Sequence, residues 1–139
     1  MRGRRFNHNG VTVLDDSYNA NPEAMRAMID AVREVAGRRR IAVLGEMLEL
    51  GALSENLHRE VGRYAARRGI DVMVGIRGAA RFMVEAAVEA GLQPGPACFF
   101  EDPEPAGSYV RSVAQEGDVV LFKGSRGTRV ERALENFLR

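Results

Sequence analysis

Eight consecutive residues, Asp15-Asp16-Ser17-Tyr18-Asn19-Ala20-Asn21-Pro22, gather two carboxylates, a hydroxyl, a phenol and two amides. A carboxylate in that setting can accept from ribose hydroxyls or hold water near a metal ion, and Tyr18 or Asn19 can lie against a purine face. Helix capping accounts for Asn21 before Pro22. Closing a strand accounts for the aspartates, but neither duty needs so many polar side chains. A second string, Lys123-Gly124-Ser125-Arg126-Gly127, combines cations, a hydroxyl and two glycines ahead of a helical pattern. Backbone N–H groups and the helix dipole there would favour a carboxylate or phosphate; a turn with solvated charges is the other reading. In a third string, Gly45-Glu46-Met47-Leu48-Glu49-Leu50-Gly51, Glu46 and Glu49 could engage a ligand amine, while Met47, Leu48 and Leu50 read as packing residues. His58 follows one turn into the next helix, as a ligand contact or a packing residue.

The strings lack the standard means of holding a nucleoside triphosphate: neither GxxxxGK[ST] nor GxGxxG occurs in the chain. His8 and His58 are far apart, and the single cysteine, Cys98, excludes an internal disulfide and a Cys-rich zinc site. No metal site and no catalytic residue is assigned. Cys98 sits in an apolar run and reads as buried and inert.

The elements that must position these strings alternate. VTVLDD at 11–16 reads as a strand, and Arg4 to His8 as an added edge strand turned by Asn9-Gly10. Ala24, Met25, Met28, Ile29, Val32 and Val35 then recur at helical spacing, ended by Gly37. IAVLG at 41–45 reads as a buried strand. Ser54 is expected to cap a helix burying Leu57, Val61, Tyr64 and Ala65, ended by Gly69. A strand over 70–75 precedes a helix over 79–90, with Phe82, Met83, Ala86, Ala87 and Ala90 inward and Gly91 closing it. A strand over 97–100, a helix over 103–115, a strand over 118–124 and a helix over 127–138 complete the chain. Such alternation implies a Rossmann-like three-layer α/β domain: a mostly parallel sheet of about six strands with helices on both faces. Ligands then gather at the carboxyl ends of the strands, where the three polar strings fall.

Composition sets the outer limits. The 139 residues suit one domain spanning 1–139, and 45% hydrophobic content allows a real core. A net charge of +1 argues against a general nucleic-acid binder. No apolar run is long enough to span a membrane, and MRGRRFNHNG lacks the apolar stretch of a signal peptide. A cytoplasmic monomer is expected.

Together, the three strings closely resemble the C-terminal domain of the Mur ligase family, with Ser54, His58, Val61 and Gly62 following the same pattern. The resemblance runs from about Phe6 to Leu138. Glu46 stands where many relatives carry Asp. Within the family the pattern is nearest to the member that adds D-alanyl-D-alanine to UDP-N-acetylmuramoyl-tripeptide in peptidoglycan synthesis. The resemblance implies that ATP phosphorylates the precursor carboxylate, that the incoming amine attacks the acyl phosphate, and that Mg2+ screens the phosphates. It implies a nucleotide side carrying Asp16, Tyr18, Asn19 and Asn21. It implies a dipeptide side carrying Lys123, Ser125 and Arg126, bordered by Glu46, Glu49 and His58. The family's phosphate loop and magnesium-binding residues lie in its central domain, and its UDP-sugar site in its N-terminal domain. The chain is therefore expected to begin at an interdomain boundary, to work with those domains as partners, to bind no cofactor tightly and to be inactive alone.

Two other α/β classes share the alternation. A receiver-type phosphoacceptor needs an Asp after the third strand, where Val74-Gly75-Ile76-Arg77 offers none. A flavodoxin-like binding module needs a Ser-, Thr- and Gly-rich loop after the first strand, which is absent.

Overall fold

The computed structural model describes residues 4–17 and 20–139. Strands β1 (Arg4–His8) and β2 (Val11–Asp16) form the expected hairpin, paired antiparallel from Arg4 opposite Asp15 to His8 opposite Val11. Four more strands follow: β3 (Arg40–Gly45), β4 (Val72–Ile76), β5 (Ala97–Phe100) and β6 (Val119–Lys123). The sheet order is β1-β2-β6-β3-β4-β5, and every pair after the first is parallel. The last strand in sequence is thus inserted between the second and third.

Five helices cover the sheet: α1 (Pro22–Glu34), α2 (Ser54–Arg67), α3 (Ala80–Glu89), α4 (Pro103–Val113) and α5 (Val130–Phe137). Side chains alternate along a strand, so Val119 and Leu121 of β6 face one way and Val120 and Phe122 the other. The first face packs Leu14, Ala42, Leu44 and Met73 against α1, α2 and α3. The second packs Val13, Ile41, Val43 and Val74 against α4 and α5. Each fully buried aliphatic side chain contributes about 1.5–3 kcal/mol relative to exposure, so both layers are firmly attached.

Several element ends differ from the sequence reading, each for a local reason. The strand expected at 70–75 is β4, which starts at Val72. Ile70 instead closes α2, its N–H donating to the Ala65 carbonyl at 3.1 Å, with Gly69 at φ +85 before it. Leu92 and Gly91 close α3 in the same way, with the Leu92 N–H on the Ala87 carbonyl. Both ends need a left-handed residue before an apolar one, which glycine supplies without strain. Gly37 does not end α1. The Arg40 guanidinium does, donating to the Arg33 and Val35 carbonyls at 3.3 and 2.6 Å. Ser54 is the first helical residue of α2 and not its cap, because a 3-10 turn over Gly51–Leu53 feeds directly into the helix. Phe82 and Ala90 are half-buried, while Ala80 and Val84 take inner positions. Cys98 is also only half-buried, since β5 is an edge strand. None of the described helices is long and apolar enough to cross a membrane.

Candidate functional site

The carboxyl ends of β2, β3, β4 and β6 open at one end of the sheet. After β2 and β3 the chain turns to α1 and α2 on one face; after β6 it turns to α5 on the other. In open α/β sheets, ligands bind where successive helices diverge in this way, here beside β6.

Asp16 and Lys123 are register partners on β2 and β6. The Lys123 Nζ donates to Asp16 Oδ2 at 2.8 Å, with the Lys123 side chain 1% exposed and that of Asp16 16%. Lys123 is therefore not an open cation at the mouth. Low surroundings polarity makes such a pair costly to desolvate and costly to break, so its geometry is held. Asp15 points the other way along the pleat. It accepts from the Arg4 guanidinium at 2.8 Å and from the Ser17 hydroxyl at 2.8 Å, and so closes the strand. Asn21 caps α1, its Oδ1 accepting from the Ala24 N–H at 2.8 Å. Tyr18 and Asn19 lie outside the described residues.

After β6, the loop does not enter a helix at Gly127 as the sequence suggested. Arg126–Thr128 forms a 3-10 turn, Arg129 adopts φ +57, and α5 starts at Val130. The Thr128 hydroxyl donates to the Ser125 carbonyl at 2.9 Å and ties the turn. Ser125 Oγ is buried with no hydrogen-bond partner among the described residues. Leaving a buried hydroxyl unpaired costs about 1–3 kcal/mol, a cost that a ligand acceptor or donor would remove. Arg126 and Arg129 are both exposed beside it.

On the third string, Glu46 and His58 are engaged within the protein. Glu46 Oε2 accepts from the Ala79 N–H at 2.8 Å, holding the turn ahead of α3. His58 is fully buried, with Nε2 2.9 Å from the Met47 N–H and Nδ1 2.7 Å from the Ser54 carbonyl. Burial lowers its pKa below 6.5, against the opposing pull of the Ser54 carbonyl and the Glu46 charge. Glu49 is exposed at φ +64. Leu48, 41% exposed, lies over Gly127 and joins this loop to the one after β6.

The structure thus brings Asp16, Lys123, Ser125, Arg126 and the loop carrying Glu46 and Glu49 to one end of the sheet, with His58 beneath that loop. Sequence reading did not single out Arg77 and Arg129, non-glycine residues at φ +77 and +57 on the same rim. Such backbone angles cost on the order of 1–3 kcal/mol each and cluster at functional sites. Arg77-Gly78 after a strand was a weak signal for the first; nothing flagged the second. Among the described residues, no three of His, Cys, Asp and Glu gather to hold a metal ion. A cavity of about 120 Å³ lined by His8, Val11, Arg111 and Phe137 lies at the opposite end of the sheet.

Comparison with known proteins bears on what this mouth serves. The profile of the "Mur ligase, glutamate ligase domain" family matches residues 1–126. A UDP-N-acetylmuramoyl-tripeptide–D-alanyl-D-alanine ligase of Mycobacterium tuberculosis is 39% identical over 134 residues, covering 84% of this chain and 26% of that protein. A crystal structure of MurF ligase from Thermotoga maritima in complex with ADP superposes with a TM-score of 0.81 at 32% identity, covering 96% of this chain and 29% of that one. A MurF structure from Acinetobacter baumannii gives a TM-score of 0.86 at 26% identity, covering 97% and 30%. The chain therefore spans between a quarter and a third of the length of these relatives. With the fold, the three loops and the family profile in agreement, the chain belongs to the Mur ligase family and carries its C-terminal, glutamate ligase domain.

Proposed function

We propose that this chain serves as the C-terminal domain of an ATP-dependent ligase that adds D-alanyl-D-alanine to UDP-N-acetylmuramoyl-tripeptide in peptidoglycan synthesis. It would act in the cytoplasm together with an N-terminal and a central domain. The observation that carries the reading is the mouth beside β6. There a buried, unpartnered Ser125 hydroxyl stands next to exposed Arg126, with a fixed Lys123–Asp16 pair at the neighbouring strand ends.

The residues present fit a nucleotide and a carboxylate-bearing amine. A relative of known structure is in complex with ADP, which supports the use of ATP by the whole enzyme. ATP, when bound, supplies the phosphoryl group that activates the precursor carboxylate. Asp16 keeps one carboxylate oxygen on Lys123 and has its other oxygen to accept from ribose hydroxyls. Asn21 stands on the same side at the α1 N-terminus. Toward the dipeptide, Ser125 donates to its carboxylate, Arg126 neutralises the charge and Glu49 faces the ammonium end before attack. Lys123 acts through Asp16, and Glu46 and His58 act by holding their loop. In this reading the contribution of these residues is binding and orientation.

Replacing the equivalent segment of the Thermotoga maritima ligase by this chain tests the reading. Phosphate release that requires ATP, D-alanyl-D-alanine and the UDP-linked tripeptide together supports it. A well-folded chimaera that binds ATP but releases no phosphate overturns it. Phosphate release by the 139-residue chain alone would overturn the division of labour between domains.

A further inference from the structure

The β3–α2 loop has two left-handed residues, Glu49 at φ +64 and Gly51 at φ +60, and an exposed apolar side chain, Leu48. Such a loop does not hold its shape by local preference. Glu46 Oε2 on the Ala79 N–H at 2.8 Å secures its start, and three further anchors follow. The Glu46 N–H donates to the Ile76 carbonyl at 2.9 Å, the Met47 side chain is buried, and the Met47 N–H meets His58 Nε2 at 2.9 Å. The Met47–His58 hydrogen bond ties the loop to α2.

The imidazole geometry allows one protonation state. A carbonyl only accepts, so Nδ1 at 2.7 Å from the Ser54 carbonyl carries a proton. A backbone N–H only donates, so Nε2 opposite Met47 carries none. The Ser54 hydroxyl also lies 3.3 Å from Nδ1. A proton added at Nε2 would set two donors against each other inside a fully buried site. Among the described residues, Glu46 is the charged group that acts on the ring, and burial outweighs its pull.

We propose that His58 is a positioning residue whose neutral imidazole latches the β3–α2 loop through the Met47 N–H and so sets where Leu48 and Glu49 stand at the mouth. Its consequence for dipeptide binding rests on the function proposed above; the latch itself does not. Protonation at low pH opens it, and the loop beyond Met47 loosens while the sheet stays intact.

Ring 15N chemical shifts of His58 in the 139-residue chain, followed from pH 8 to pH 5 without ligand, test the latch. A protonated Nδ1 and a bare Nε2 that persist below pH 6.5 are expected. In His58→Phe, exchange of the Met47 amide should rise about tenfold, while amides of Val43 and Val74 are unchanged. In His58→Gln, whose Oε1 can accept from the Met47 N–H, protection should return. An Nε2-protonated ring, a ring charged above pH 6.5, or Met47 exchange unaffected in a folded His58→Phe overturns the proposal. Should that variant not fold, the ring shifts of the native chain decide alone. Loss of ligation in the chimaera with these shifts as expected would count against the function and leave the latch standing.

Discussion

The two ends of the sheet each bury an ion pair, and they use it differently. At the end where β6 begins, Asp118 is 1% exposed and accepts from Arg39 at 2.8 Å, from Arg38 at 3.2 Å and from the Gln115 N–H at 2.8 Å. Burial alone would raise its pKa; the Arg39 hydrogen bond, the Gln115 amide and the two guanidinium charges outweigh that and hold it below 3.8. Both cations there keep contact with water. At the mouth the exposure is reversed: the cation, Lys123, is the buried partner, and the carboxylate of Asp16 is the one within reach of solvent. Beside it are an unpaired Ser125 hydroxyl and three left-handed non-glycine residues, Glu49, Arg77 and Arg129. The far end has one, Asn9, in an ordinary hairpin turn. One end ties its buried carboxylate to Arg39, Arg38 and the Gln115 N–H and fastens the sheet, although Arg40 Nε there is also buried with no hydrogen-bond partner among the described residues. The other keeps polar capacity and backbone strain in reserve, which is the pattern of a binding surface.

The largest expected effect separates the two pairs directly. Asp16→Ala should cost about 3–5 kcal/mol in urea unfolding, because it removes the carboxylate from a lysine with almost no access to water. Asp118→Ala should cost less, about 1–3 kcal/mol, because Arg39 and Arg38 can turn to solvent and only the Gln115 N–H is left buried. Equal costs, or the reverse order, would break the comparison.

Titration sharpens it further. A histidine whose folded pKa is lowered favours the neutral state, so the His58 contribution is present above about pH 6.5 and lost as pH falls through the window below it. Asp118, also lowered, loses its contribution only below pH 3.8, as pH falls toward its folded value. Unfolding curves should therefore show a slope that sets in as pH falls below 6.5, disappears in His58→Phe and survives in Asp118→Asn. The smallest effect is Ser125→Ala. Removing an unpaired buried hydroxyl should leave stability unchanged or raise it by up to about 1 kcal/mol, while dipeptide binding by the chimaera weakens. A clear loss of stability would mean that the hydroxyl serves the fold.

Much of the frame was legible beforehand. The hairpin at Asn9-Gly10, the α1 start at Asn21-Pro22, the alternation of strands and helices and the glycine ends of α2 and α3 follow from patterns that neighbours in sequence set by themselves. The ends that moved did so where a nearby side chain or a tight turn took over from the expected signal. Arg40 closes α1 in place of Gly37, and the 3-10 turn after Ser125 postpones α5 to Val130. Similarly, the three polar strings could be read as one site, but the division of labour inside them could not. Glu46 and His58 looked like ligand contacts because a carboxylate and an imidazole near a sheet mouth usually are candidates. Their partners, the Ala79 and Met47 N–H groups, come from chain segments 33 and 11 residues away.

The sequence by itself determined the family, the α/β layering and the choice of chemistry, since residue type, apolar period and turn residues are local properties. Only the tertiary structure decided which of those residues are hydrogen-bonded within the fold and which keep a polar group without a partner among the described residues. Inserting β6 between β2 and β3 places Lys123 against Asp16 across 107 residues and points α5 away from α1 and α2. Burial then fixes what each group can do: with no water to exchange partners, Lys123 holds Asp16, His58 keeps a single tautomer, and Ser125 is left with a hydroxyl that none of the described residues pairs.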